Sequence, residues 1–290
     1  MITLRSGGAE LDLLPKIGGA VSRFAVDGSD VLRPAPPGTT DVLQTACFAL
    51  VPFANRIAHG AFAFRGEAVR LKRNFGDHPH ALHGQGWQNE WSVRAQTRDS
   101  AVLAFAHGAD AWPWDYAAEQ AFVLTPDSLR LELTLSNRSA RAMPASLGFH
   151  PYFPRTERSR LQAEIAGVWL SDATAIPTVK AQASHFLDLA GGAALGAAPF
   201  VDHCHFGWKG AARIAQPENG RRLLLGASPE LGFLHVFVPP NADFFCVEPV
   251  SAMPDAFNRA ADESGLRVIA AGDSFRVAMT LSVQPADRRC

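Results

Sequence analysis

The chain has 290 residues, 47% hydrophobic and 19% charged, the balance of a globular protein with a packed core. Its 27 Lys and Arg against 28 Asp and Glu give a formal net charge of −1, and no basic run, alone or interleaved with aromatics, offers the footprint of a nucleic-acid or anionic-membrane binder. A small neutral ligand suits this charge balance better, and no stretch approaches the ~20 apolar residues of a membrane span.

The N-terminal MITLRSGGAELDLL lacks the charged start and continuous apolar core of a signal peptide, and a cytoplasmic location is expected. Cys47, Cys204, Cys246 and Cys290 are scattered, without a C-x-x-C pair, and read as reduced thiols; Cys47 and Cys246 lie in apolar runs that predict burial. In VPFANRIAHG, Arg56 stands in apolar company, where its planar fork suits either a carboxylate or the vicinal hydroxyls of a sugar. The segment from Phe62 to Leu71 alternates as a hairpin, with Phe62, Phe64, Val69 and Leu71 facing inward and Arg65-Gly66-Glu67 as its turn.

Three histidines crowd DHPHALHG, residues 77 to 84. His78, His80 and His83, or Asp202, His203 and His205 further on, have the chemistry of metal ligands. Neither spacing matches a familiar metal motif, and an extended strand would place His78 and His80 on one face and His83 on the other. SLRLELTLS, from Ser128, puts four leucines on one face and Arg130, Glu132 and Thr134 on the other, a strand with one wet side.

His150 stands among aromatics in LGFHPYFP, where Phe149, Pro151, Tyr152 and Phe153 would wall a ring and limit water; it suits proton transfer or a satisfied structural role. LAGGAALGAAP, from Leu189, reads as a flexible surface loop. GFLHVFVPP, from Gly232, is a strand halted by two prolines. In FFCVEP, Glu248 closes an apolar run and precedes a proline; a carboxylate heading inward there must pair, with an arginine such as Arg56, or be used. FRVAMTLSV, from Phe275, is a further alternating strand.

Strand periodicity dominates, and no dozen residues show a capped amphipathic helix, which predicts an antiparallel all-β architecture in a single domain, residues 1–290, as a sandwich or a large barrel. A histidine and a carboxylate on opposite sides of one pocket would suit acid–base chemistry on a polar ligand.

ANRIAHGAFAFRG, HALHGQGWQNEW, LGFHPYF, VDHCHFGW and FFCVEPVSAMPDAFN, in that order along the chain, resemble the motifs of the aldose 1-epimerase (galactose mutarotase) family. The resemblance implies a large antiparallel β-sandwich with an open cleft, a monosaccharide substrate and no cofactor. It makes Glu248 the base that takes the anomeric hydroxyl proton and His150 the acid that protonates the ring oxygen. Arg56, His83 and Asp202 then match positions that hold the sugar, and Trp87, Trp91 and Trp208 are candidate platforms for its C–H face or core side chains. The sequence departs from many relatives in carrying His83-Gly84-Gln85-Gly86 instead of a Gly-Gly pair after the histidine. A carbohydrate-binding or sensing module on the same fold is the rival expectation, and a sandwich-fold lyase or hydrolase a more distant one.

Overall fold

The computed structural model describes residues 1–216, 218 and 220–285; Cys290, one of the four cysteines read as thiols, lies outside them. Among the described residues, strands build two large antiparallel sheets, one of eleven strands and one of nine. The one α-helix among the described residues, Ala261–Ser264, is one turn long. Among the described residues, no helix is long and apolar enough to cross a membrane.

The eleven-stranded sheet runs from Ile2–Ser6 at one edge, through Cys47–Leu50, Gly148–Pro154, Phe244–Val250, Phe233–Val238 and Val201–Phe206, to Pro177–Gln182 at the other. At the centre of the nine-stranded sheet Ser128–Asn137 pairs with Ser274–Pro285, setting Leu131 opposite Met279 and Leu133 opposite Val277. These side chains share one hydrophobic core with Phe149, Phe153, Phe245 and Val247 of the eleven-stranded sheet. Each buried side chain of this size contributes about 1.5–3 kcal/mol, so the two facing sheets hold each other in place. The alternating strands behave as their period predicts, with Arg130 and Arg276 on the wet face.

The opposite face of the eleven-stranded sheet carries a smaller apolar cluster that includes Phe48, Leu50, Trp87, Tyr152 and Cys246. Strand alternation forces this division, because successive residues of Gly148–Pro154 and Phe244–Val250 point to opposite faces. The hairpin Ala61–Phe64 with Glu67–Arg70 forms as its sequence predicts, turning on Arg65 and Gly66, both at positive φ.

The low-complexity segment differs from expectation. Leu189 and Leu195 are fully buried, and Ala193–Ala194 pairs with Arg160–Ala163, so two leucines and a short ladder pin what its composition suggested was a loose surface loop. Cys47, Cys204 and Cys246 are buried free thiols, Cys204 included although its setting gave less reason to expect it.

Candidate active site

Glu248 does not end its strand. Phe244–Val250 continues through Pro249, which sits opposite Leu234 in an interior strand. A proline there lacks the N–H a ladder needs. The structure accommodates it by a gap: pairing with Gly148–Pro154 is broken between Gly148↔Val250 and Tyr152↔Cys246, and Pro151 and Pro249 both fall inside the break. The register carried through that gap sets His150 beside Glu248. Phe48 lies across from His150 on one side, and His235 then Cys204 extend the row on the other.

His150 Nε2 lies 3.4 Å from Glu248 Oε1, and both residues are buried, at 7% and 2% exposure. The two groups therefore sit side by side on the floor of one cleft, not on opposite sides of it as the sequence suggested. The wall around His150 also differs. Phe149 and Phe153 turn into the main core, and the imidazole is sandwiched between Phe48, at 4.7 Å, and Tyr152, at 4.8 Å. Those stacked rings fix the plane of the imidazole.

Arg56 and His83 arrive from a separate two-stranded ladder, Arg56–Ile57 with Ala81–Leu82, in which Arg56 pairs with Leu82 and His83 follows directly. Gly84, at φ +74°, abuts Val51 so closely that a Cβ would lie 2.2 Å from the Val51 carbonyl oxygen, so only glycine permits this approach. His83 Nδ1 accepts from the Asn55 backbone N–H, and Asn55 Oδ1 accepts from Arg56. Arg56 does not pair with Glu248. Its Nη2 donates to Asp202 Oδ2 at 2.8 Å, while Asp202 Oδ1 lies 2.7 Å from His235 Nε2.

All five residues expected from the sequence, Arg56, His83, His150, Asp202 and Glu248, line one cavity of about 300 Å³, at the lower end of the size of small-molecule sites. His235 lines it too, and sequence reasoning passed over it. Its only signal was a histidine set between Phe233 and Phe237 at strand spacing. Of the three tryptophans, Trp87 borders the cleft, whereas Trp91 and Trp208 belong to the main core.

Neither candidate metal set is assembled. Residues 77–80 form a turn and bends instead of a strand; His80 packs against His59 and His78, while His83 faces the cleft. Asp202 faces the cleft too, but His203 stacks on Phe186 and His205 meets the Leu234 carbonyl. Among the described residues, the three metal-competent donors that do converge are His150, Cys246 and Glu248, within 4.8 Å of one another. Burial pushes the Cys246 thiol well up, which favours the weaker ligand, the neutral thiol.

The electrostatics follow from burial. Desolvation pushes the Glu248 carboxyl up; the charge of His235 opposes it, Asp202 adds to it and Arg56 opposes it, leaving the group at about 7. Desolvation, reinforced by the charge of His235, drives His150 down to about 3. Burial also takes His83 well below the ordinary histidine range. Burial pushes the Asp202 carboxyl up as well, but the hydrogen bond and charge of His235, together with Arg56, outweigh it and hold the group well below the ordinary carboxylate range.

The Arg56 and Asp202 side chains are 14% and 11% exposed, and loss of one partner strands the other charge. Asp202→Ala is expected to cost about 3–5 kcal/mol in urea denaturation. A loss below about 1 kcal/mol would mark the pair as screened by solvent.

The chain matches the family model for aldose 1-epimerase over residues 1–282. It is 33% identical over 290 residues to uncharacterized protein YphB of Escherichia coli K12, covering 97% of this chain and 98% of that one. An Escherichia coli K12 crystal structure, provisionally assigned as an aldose 1-epimerase, superposes with a TM-score of 0.91 at 33% identity, covering 98% of each chain. Galactose 1-epimerase from Lactobacillus acidophilus NCFM shares the fold, with a TM-score of 0.80 at 16% identity over 98% of this chain and 94% of that one. Matched along nearly its whole length, with the motif residues gathered in one cleft, this chain belongs to the aldose 1-epimerase family.

Proposed function

We propose that this protein is a cofactor-independent aldose 1-epimerase, a single-domain cytoplasmic enzyme that interconverts the α and β anomers of a free hexose or related aldose. The observation that carries the reading is the His150–Glu248 pair, 3.4 Å apart on the floor of the cleft. O1 and O5 of a cyclic sugar are bonded to the same carbon, so two groups a hydrogen-bond length apart can serve both at once.

The reaction runs through the ionised form of the pair, Glu248 carboxylate with His150 imidazolium, which burial makes the minor form near neutral pH. Glu248 takes the proton of O1–H, the C1–O5 bond breaks with its electron pair going to O5, O5 takes the proton from His150, and C1=O1 forms. Rotation about C1–C2 presents the other carbonyl face. O5 then attacks C1 and returns its proton to His150 while O1 recovers one from Glu248, and the protein is unchanged.

Burial favours these transfers. It disfavours both starting charges, and the proton movements of ring opening neutralise both, so the low-polarity floor makes the carboxylate a stronger base and the imidazolium a stronger acid. Arg56 and His83 supply hydrogen bonds above that floor, and Trp87 an apolar edge. Arg33 stacks on Tyr152 and Phe244 and donates to the Leu43 and Thr45 carbonyls, and Arg56 is paired with Asp202. Both arginines bordering the cleft are thus engaged within the protein, which favours a neutral sugar over a phosphorylated one.

Saturation-transfer NMR on glucose, galactose and a panel of other aldoses tests the reading. Accelerated exchange between the two anomeric signals of at least one sugar is the expected result. Binding by calorimetry without acceleration for any sugar would favour a sugar-binding module instead.

A further inference from the structure

Along the strands, the cleft runs in one direction only from the His150–Glu248 pair. Two residues further on, about 6.8 Å away, the next row across the sheet is Tyr152, Cys246, Phe237 and Asp202. Tyr152, Phe237 and Asp202 of that row line the cavity, and Phe244 borders it further out. In the opposite direction the row is Gly148, Val250 and Phe233, none of which lines it. A sugar with C1 over the pair therefore extends over the row that holds Tyr152.

The roles proposed for the pair also set which edge of the ring faces which strand. O5 lies over His150 and O1 over Glu248, so C5, bonded to O5, falls on the side of Gly148–Pro154, and C2 falls toward Phe237 and Asp202. Tyr152 stands two residues after His150 on that strand and is the residue beneath C5. C6 then points past it into a corner made by Arg33, Leu43, Gln44 and Phe244. This corner is held firmly: the Arg33 guanidinium lies 4.2 Å from the centre of the Tyr152 ring and 4.5 Å from that of Phe244, and it donates to the Leu43 and Thr45 carbonyls.

Tyr152 is 4% exposed, and its hydroxyl has no hydrogen-bond partner among the described residues. Unlike the indole N–H of Trp169, which is unpartnered and fully enclosed, it opens on the cleft. A phenol held in a packed floor without the partner that buried hydroxyls ordinarily have is a site for a ligand's polar group. We propose that Tyr152 is a specificity-determining residue of the epimerase site: its hydroxyl takes the C6 hydroxyl of the sugar, and the substrate is a hexose in preference to its 6-deoxy counterpart. The inference rests on the proposed function for the placement of O1 and O5. Arg33, engaged by the two carbonyls, closes the corner, and the contact offered there is neutral, a hydroxyl for a hydroxyl.

The experiment is saturation-transfer NMR on glucose, galactose and their 6-deoxy forms, with the wild type and with Tyr152→Phe, which keeps the ring that stacks on His150. The wild type is expected to favour at least one hexose over its 6-deoxy form by about tenfold or more in kcat/KM, because the 6-deoxy sugar leaves the phenol unpaired. In Tyr152→Phe that ratio is expected to collapse toward one. A purely structural role would slow both sugars of a pair alike and leave the ratio unmoved. A wild-type ratio near one for both pairs, which needs no variant to see, or a ratio that survives the substitution overturns the inference. Calorimetric binding of the same sugars separates this claim from the epimerase reading. Binding that shows the preference and loses it in the variant, with no exchange in the wild type, removes the epimerase reading and leaves the C6 contact standing. Exchange without preference for the C6 hydroxyl does the reverse, and a protein that neither exchanges nor binds any of these sugars overturns the inference as well.

Discussion

Glu248→Gln is expected to lower anomer exchange by about 10²–10⁴-fold, the contribution of one positioned acid or base, while the protein becomes more stable above neutral pH. The second half of that result follows from the same burial that makes Glu248 a base. In the folded protein its carboxyl is raised from the ordinary 4.5 to about 7, so the native state holds this proton more tightly than the unfolded chain does. The stability this group contributes is fully present below about 4.5 and is lost as pH rises to about 7; integrated over that window it amounts to about 3 kcal/mol. Glutamine cannot ionise, so the variant escapes the loss. Urea denaturation at a series of pH values should show the stability of Glu248→Gln relative to the wild type growing across that window and flat above it. A carboxylate whose role was an ion pair would give the opposite sign, with the variant less stable at pH 8.

His150→Asn is the second large effect. Exchange is expected to fall by a similar factor of about 10²–10⁴, and the loss of two ring stacks, with Phe48 and Tyr152, costs roughly 0.5–1.5 kcal/mol each. Circular dichroism and urea midpoints separate this modest destabilisation from the loss of rate. Because Glu248 and His150 move their protons in one ring-opening event, their effects are not additive, and the double variant is expected to be little slower than the slower single one. Multiplication of the two rate losses would mean that the residues act in separate steps.

Much of the site could be read from polar residues placed where apolar ones belong. Glu248 after Phe245, Cys246 and Val247, and His150 among aromatics, both violate the strand pattern around them, and the structure brings both to one cleft. Their relation could not be read. Strand register is a tertiary property, and a shift of one residue would send His150 into the main core and turn Phe149 toward Glu248 in its place. Arg56 and Asp202, 146 residues apart, likewise have no sequence signal that pairs them, and the sequence left the partner of Arg56 open between a carboxylate and a sugar's hydroxyls.

His235 escaped notice because a single histidine between phenylalanines in a strand looks the same whether it packs or works; only Asp202, across the sheet, gives it meaning. The segment from Leu189 misled for the opposite reason. Its alanines and glycines describe the chain between two leucines, while the two leucines decide where it lies. The fold class needed none of this detail, since the period-two alternation of Ser128–Asn137 and Ser274–Pro285 is set by local residues and survives any choice of partner strand.

The most direct measurement is a crystal structure of the Glu248→Gln variant soaked with whichever aldose the wild type exchanges fastest. The sugar is predicted to lie in the cleft with C1 over His150 and the substituted amide, O1 within about 2.6–3.2 Å of that amide and O5 within the same reach of His150. A sugar bound with its anomeric carbon turned away from these two side chains, or held outside the cleft, would contradict the account.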